Sequence, residues 1–151
     1  MKHSARSHCA GDAVVPEPIQ AEIAGAIKSV SVKPGPGAAT KIRDALISNL
    51  KSMGWSGKFP VAAGSDITIT SMREGVGLCL QTGNMARMYA DLIKLQTLYL
   101  DNAIKSAVII VPSEPVALLL GSNIAQAERL ERELDIFKKA YHVPTLVFSL
   151  E

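Results

Sequence analysis

The sequence predicts an α/β sandwich with a mixed sheet, and the order of three kinds of segment carries that prediction. Several stretches place apolar residues at every third or fourth position, a spacing typical of amphipathic helices. Two short alternating stretches around a turn indicate a β-hairpin, and a continuous apolar run before a proline indicates a strand buried on both faces. Two strand–helix–strand units after an antiparallel hairpin give a mixed sheet covered by helices.

The N-terminal part of the chain is predicted to be helical after a poorly ordered leader. Met1–Pro16 contains small and polar residues without periodicity, so we expect a flexible leader followed by a single domain over residues 17–151. Ile19–Val30 and Ala38–Met53 each carry an apolar stripe and are predicted helices. The segment Lys33–Gly37 separates them, because its two prolines and two glycines break regular structure.

The middle of the chain is predicted to form the hairpin. Asp66–Thr70 and Val76–Gln81 both alternate polar and apolar residues, which is typical of half-buried strands, and Ser71–Gly75 is the predicted turn. On the first strand we expect Ile67 and Ile69 to enter the core. On the second strand, alternate side chains point to opposite faces of the sheet.

The C-terminal part is predicted to complete the sheet with two strands and three helices. A long helix is expected from Asn84 to Asn102, followed by the apolar strand Ala107–Val111. A short helix over Pro115–Leu120 and a long helix over Ser122–Tyr141 come next. The strand Thr145–Ser149 closes the domain.

Composition and charge limit the classes of protein to which this chain can belong. Its 151 residues are 48% apolar and 20% charged, which excludes a disordered polar chain. No apolar run approaches the roughly 18 residues of a membrane span, and Met1–Ala10 lacks the apolar segment of a secretory signal. Its two cysteines favour a reducing compartment, so we expect a cytoplasmic protein. Residues 1–60 carry eight Lys/Arg against four Asp/Glu, a balance that permits nucleic-acid binding without requiring it.

Five segments resemble the BglII/BamHI group of type II restriction endonucleases, and they occur in one order along most of the chain. They are Gly54-Trp55, Val76–Asn84, Asp91–Tyr99, Ala107–Pro112 and His142–Leu146. The resemblance implies a restriction-endonuclease-like three-layer α/β/α sandwich. It also implies double-stranded DNA as the ancestral ligand, a homodimer, and Mg²⁺ held by an Asp on one hairpin strand and a Glu on the next.

The same resemblance places Thr70, Cys79 and Gln81 at the catalytic positions of the family. Thr70 matches the metal-binding Asp, Cys79 matches the metal-binding Glu, and Gln81 matches a Gln found in part of the family. Mg²⁺ prefers negatively charged oxygen ligands, and a hydroxyl and a thiol are poor substitutes for carboxylates. The sequence therefore predicts a degenerate site without a metal, in a catalytically inactive protein that retains at most DNA binding or a regulatory role.

Two alternative functions remain open at this point. An active metal-dependent endodeoxyribonuclease would need Mg²⁺ and displaced acidic ligands, for which Glu22 on the first helix is the candidate. Asp66 lies four residues before Thr70 and Glu74 lies in the predicted turn, so neither replaces the missing carboxylates. A non-DNA homodimeric interaction domain would use Ser122–Tyr141, or the helix after the hairpin, as its dimer surface.

Four polar residues around the hairpin are the candidates for contact with DNA: Lys58, Asn84, Arg87 and Lys94. Basic and amide side chains supply most protein contacts to phosphate oxygens. The chain is shorter than typical family members, so we expect reduced loops for base recognition. Any DNA binding is therefore expected to be sensitive to salt and largely indifferent to sequence. We expect a second copy of the chain as a partner, and no membrane.

Overall fold

A five-stranded mixed sheet forms the centre of the computed structural model, which describes residues 1–151. The strands are β1 (His3–His8), β2 (Phe59–Pro60), β3 (Thr68–Ile69), β4 (Ser71–Arg73), β5 (Val76–Leu80), β6 (Ser106–Pro112) and β7 (Thr145–Leu150). The helices are α1 (Gly11–Val14), α2 (Glu17–Lys28), α3 (Ala38–Ser52), α4 (Ala86–Leu100), α5 (Glu114–Leu120) and α6 (Ala127–Phe137). The sheet order is β1-β7-β6-β5-β4, and the short strands β2 and β3 pair separately.

Helices cover both faces of this sheet, which confirms the predicted three-layer α/β/α sandwich. Strands β5, β6 and β7 are parallel, and β4 and β1 run antiparallel to them at the two edges. Leu78 and Leu80 pack into a core with α2 and α3, whereas Cys79 packs into a second core with α4 and α6. All seven residues of β6 are buried, as the predicted doubly covered strand requires. None of the helices combines the length and the apolar character that a membrane span requires.

The hairpin is shorter than the sequence prediction, and its first strand lies later in the chain. Ser71–Arg73, predicted as the turn, forms β4, and the turn itself is the pair Glu74-Gly75. Both turn residues have positive φ, at 48° and 75°, the backbone of a two-residue hairpin turn that suits glycine. Ile69 is buried as expected, but the prediction for Ile67 is wrong, because its side chain is 54% exposed.

The predicted flexible leader is also wrong, because the first residues form an edge strand of the sheet. His3–His8 pairs antiparallel with β7, in a register that joins His3 to Leu150 and His8 to Thr145. Four of the six residues of β1 are exposed, so pairing depends on backbone hydrogen bonds and leaves no apolar pattern in the sequence. The chain therefore shows no break at residue 17.

The last helix begins five residues after the predicted Ser122, because the preceding segment forms an isolated bridge. Asn84 and Ile124 are antiparallel bridge partners, and the N–H of Ala125 donates to the carbonyl of Gly83 at 2.8 Å. After a turn in which Asn123 has a φ of 55°, these bonds hold residues 124 and 125 outside the helix. The segment thereby ties the start of α6 to the start of α4.

Replacing Gly11 with alanine is expected to lower the free energy of unfolding by at least about 2 kcal/mol. A Cβ at Gly11 would overlap the carbonyl group of Thr145, which is backbone at the start of β7 and cannot move without disturbing the sheet. Gly57→Ala is the matched control, because nothing lies within 4 Å of its Cβ position. Urea denaturation measures both. A Gly11→Ala variant as stable as Gly57→Ala would contradict this packing.

Candidate functional site

A cleft of about 480 Å³ opens at the carboxyl end of β5, between α3 and α4. Its lining contains four cationic side chains, Arg43, Lys58, Arg87 and Lys94, and four threonines. Asp91 is the one carboxylate among the fifteen lining residues. The cleft is therefore concave, polar and strongly positive, which suits a polyanionic ligand.

Three structural elements supply the cations. Arg43 reaches over from α3 and donates from Nη1 to the carbonyl oxygen of Leu80, the last residue of β5. Arg87 and Lys94 lie on α4, seven residues or roughly 10 Å apart along the helix. Lys58 is exposed just before β2. Helices α3 and α4 and the segment before β2 thus place positive charges around a single opening.

The floor of the cleft is a small hydrogen-bonded network. Gln81 donates from Nε2 to Oδ2 of Asp91 at 3.1 Å and accepts the backbone N–H of Gly83 at Oε1, at 3.0 Å. Lys94 Nζ lies 3.1 Å from the other Asp91 oxygen, Oδ1. These partners fix the orientation of the Gln81 amide. They also engage both oxygens of the only acid in the cleft.

Thr70 and Cys79, the two positions that the resemblance matches to metal-binding carboxylates, lie beside this network. Thr70 lines the cleft, and its Oγ1 accepts the backbone N–H of Leu80 at 3.0 Å. Cys79 is buried, with 1% of its surface exposed, and does not line the cleft. Burial raises the pKa of the Cys79 thiol well above its usual range, and the nearby Asp91 carboxylate raises it further. The thiol is therefore neutral at physiological pH.

Besides the buried Cys79, two of the predicted site residues lie outside the cleft. Glu22 accepts a hydrogen bond from Trp55 Nε1 at 3.0 Å and forms an ion pair with Arg73, so its charge is used to join α2 to the hairpin. Asn84 is exposed, and its Oδ1 accepts the backbone N–H of Ala86 at the start of α4. The structure thus brings together Lys58, Thr70, Gln81, Arg87 and Lys94, and separates Glu22 and Asn84 from them.

The family model for restriction endonuclease BglII/BglIII matches residues 4–150 of the chain. The chain belongs to the BglII restriction endonuclease family. A crystal structure of restriction endonuclease BglII complexed with a DNA 16-mer superimposes with a TM-score of 0.85 at 13% identity, over 99% of this chain and 76% of that one. Free BglII gives a TM-score of 0.74 at 15% identity, over 100% of this chain and 80% of that one. No curated protein matches the sequence.

The residues at the cleft of this BglII-family member do not fit the Mg²⁺ that the family resemblance implies. No cluster of three or more His, Cys, Asp or Glu side chains is placed to hold a metal ion. The lone carboxylate, Asp91, is already bonded at both oxygens, and Cys79 presents a buried neutral thiol. A divalent cation would also meet four positive side chains, so the donor set and the charge both disfavour it.

The two cysteines of this family member are expected to differ sharply in reactivity. Cys9 is exposed, whereas Cys79 is buried and its thiol pKa is raised, so it supplies almost no thiolate for attack. Titration of the folded protein with a disulfide reagent should modify Cys9 alone, at neutral pH and at pH 9. Denaturant should release the second thiol. Rapid modification of both cysteines in the folded chain, or of Cys79 alone in a Cys9→Ser variant, would contradict the burial of Cys79.

Sequence reasoning missed two charged residues of the cleft, Arg43 and Asp91. Asp91 left a signal, because it lies three residues after Met88 and four before Leu95, on the buried side of α4. A charged residue on an apolar stripe needs a partner, which indicates a site. Arg43 left none, because the fold alone brings its helix to the end of β5.

Proposed function

We propose that this BglII-family member binds the phosphate backbone of duplex DNA in the cationic cleft and does not cleave it. The observation that carries the proposal is the lining of the cleft, where four cations surround a single carboxylate. Three of the cations, Arg43, Lys58 and Arg87, have no carboxylate within ion-pair distance. They are free to bind phosphate oxygens, which is how most of the affinity for DNA arises.

The chemistry of the hairpin supports binding without hydrolysis. Metal-dependent cleavage of a phosphodiester needs carboxylates that hold the ion beside the scissile phosphate. Thr70 and Cys79 stand at the positions to which the resemblance assigns those carboxylates, and Glu22 is committed to Trp55 and Arg73. The residues that line the cleft therefore do not support a metal site built from displaced acidic ligands.

We also propose that the protein acts as a homodimer through an apolar face of α4 and α6. A groove of about 260 Å³ between these helices is lined mainly by apolar side chains. Ile93, Leu100 and Phe137 line it and are 69%, 64% and 43% exposed. A solvent-facing cluster of this kind marks an interaction surface.

A second copy of the chain is the occupant that suits this groove. One side of α4 lines the cleft through Arg87 and Lys94, and the next side lines the groove through Ile93 and Leu100. Pairing two copies through α4 would bring two cationic clefts close together. Duplex DNA has two phosphate backbones, so a paired arrangement matches its chemistry.

Binding to two unrelated short duplexes over a range of salt concentrations tests the proposal. Three unpaired cations per protomer predict a slope of log K against log salt of about −2.7 for each protomer, with similar affinity for both duplexes. Fluorescence anisotropy measures the slope, and sedimentation gives the number of protomers bound. A salt-independent affinity, or strong preference for one duplex, would contradict backbone binding. A dimer that binds neither duplex would favour the interaction domain.

A further inference from the structure

The ion pair between Lys94 and Asp91 distinguishes Lys94 from the other cations of the cleft. Lys94 Nζ lies 3.1 Å from Asp91 Oδ1, and the two side chains are only 26% and 12% exposed. Arg43, Lys58 and Arg87 have no such carboxylate partner. One positive charge of the cleft is therefore satisfied within the protein before any ligand arrives.

The carboxylate of Asp91 occupies a place in the cleft where an external anion would otherwise bind. Its two oxygens accept from Lys94 Nζ and Gln81 Nε2, at 3.1 Å each, on the floor of a cleft whose other charged groups are all positive. A phosphate oxygen binds the same kinds of donor by charge-assisted hydrogen bonds. The carboxylate thus takes up the donors that a phosphate oxygen would otherwise use.

We propose that Asp91 is a positioning residue that competes with phosphate for Lys94 and so lowers the affinity of the cleft. This inference rests on the proposed binding of DNA backbone and identifies the residue that limits it. Lys94 stays paired to Asp91 in the complex, so it releases no counterion from DNA. Loss of the carboxylate makes Lys94 a fourth phosphate ligand.

The Asp91→Asn variant tests the competition. Asparagine keeps the side-chain shape and can still accept from Gln81 through Oδ1, but it carries no charge. We expect its affinity for duplex DNA to rise about tenfold, and its salt slope to steepen by about 0.9 per protomer as one more phosphate is neutralised. A merely structural role for Asp91 would not change the salt slope in this direction.

The Asp91→Asn/Lys94→Met double variant is the matched control, because it removes both charges and leaves the net charge unchanged. We expect its affinity and salt slope to return to those of the unsubstituted chain. Asp91→Ser is the second variant if Asp91→Asn fails to fold, which circular dichroism shows directly. An unchanged slope in both single variants, or a gain that survives in the double variant, would overturn the competition.

Inorganic pyrophosphate, measured by calorimetry with the same variants, separates this inference from the proposed function. Suppose that no variant binds DNA, but Asp91→Asn binds pyrophosphate more tightly than the unsubstituted chain does. That result would support the competition and contradict the DNA proposal. If the unsubstituted chain binds DNA but Asp91→Asn gains affinity for neither ligand, the competition is wrong and the function stands. If no variant binds DNA or pyrophosphate, both are wrong.

Discussion

The Arg43→Ala/Arg87→Ala double variant is expected to bind duplex DNA about a hundredfold more weakly than the unsubstituted chain. Each arginine lines the cleft without a carboxylate partner, and a hydrogen bond to a charged group contributes about 1.5 kcal/mol or more. The two residues come from different helices, so their losses should add. The salt slope should become shallower by about 1 for each arginine removed.

The control for this loss is the Lys51→Ala/Arg132→Ala double variant. It removes the same charge from α3 and α6, at exposed positions that do not line the cleft. Arg43 also donates to the carbonyl of Leu80, so thermal unfolding must show that the variant remains folded. Arg87 makes no such bond, and the Arg87→Ala single variant therefore isolates the effect of charge. Equal losses in the two double variants would show that net charge, and not the cleft, determines binding.

The second large effect is expected at the apolar groove, where Ile93→Glu should convert the proposed dimer to a monomer. Ile93 is 69% exposed on α4, in the groove shared with α6. A carboxylate there would be buried without a partner in the paired state, at a cost of several kcal/mol. The dissociation constant should rise at least about a hundredfold. Sedimentation equilibrium measures it directly.

Ile67→Glu is the matched control for the dimer variant. Ile67 is also an exposed isoleucine, at 54%, but it does not line the groove. The substitution therefore has the same chemistry at a surface that we expect to remain in solvent. Dissociation of both variants, or of neither, would contradict a dimer formed through α4 and α6.

The architecture could be predicted from sequence because apolar periodicity and burial agree in most elements. Predicted helices at Ala38–Met53 and Asn84–Asn102 match α3 and α4 to within two residues at each end. The apolar run at Ala107–Val111 matches β6 in the same way. In each case the apolar residues that form the sequence pattern are the residues that pack into the core. The pattern therefore reports directly on the burial that stabilises the element.

The departures from prediction occur where backbone bonding determines structure. Strand β1 pairs along six residues of β7 with mostly exposed side chains, so its sequence carries no alternation. The delayed start of α6 depends on backbone bonds between Gly83 and Ala125, which are 42 positions apart in the chain. Such pairings depend on where the fold brings the backbone, and they leave little trace in side-chain identity.

The candidate site was predictable only in part, for a related reason. Thr70 and Gln81 line the cleft, as their places in the hairpin suggested, whereas Cys79 is buried and does not line it. Arg43 and Asp91 come from helices that approach β5 only in the folded chain. The meeting of these cations at one cleft, and the charge balance there, therefore depend on tertiary contacts.

Incubation of the protein with genomic DNA, in Mg²⁺ and then in Mn²⁺, tests binding without cleavage most directly. Genomic DNA contains every short sequence, so no recognition site is missed. We expect a salt-sensitive shift in DNA mobility with no cut products, whereas a Thr70→Asp/Cys79→Glu variant supplies the two absent carboxylates as a comparison. Cutting by the unsubstituted chain that is lost in a Glu22→Gln or Asp91→Asn variant would contradict the proposed function and show a relocated metal site.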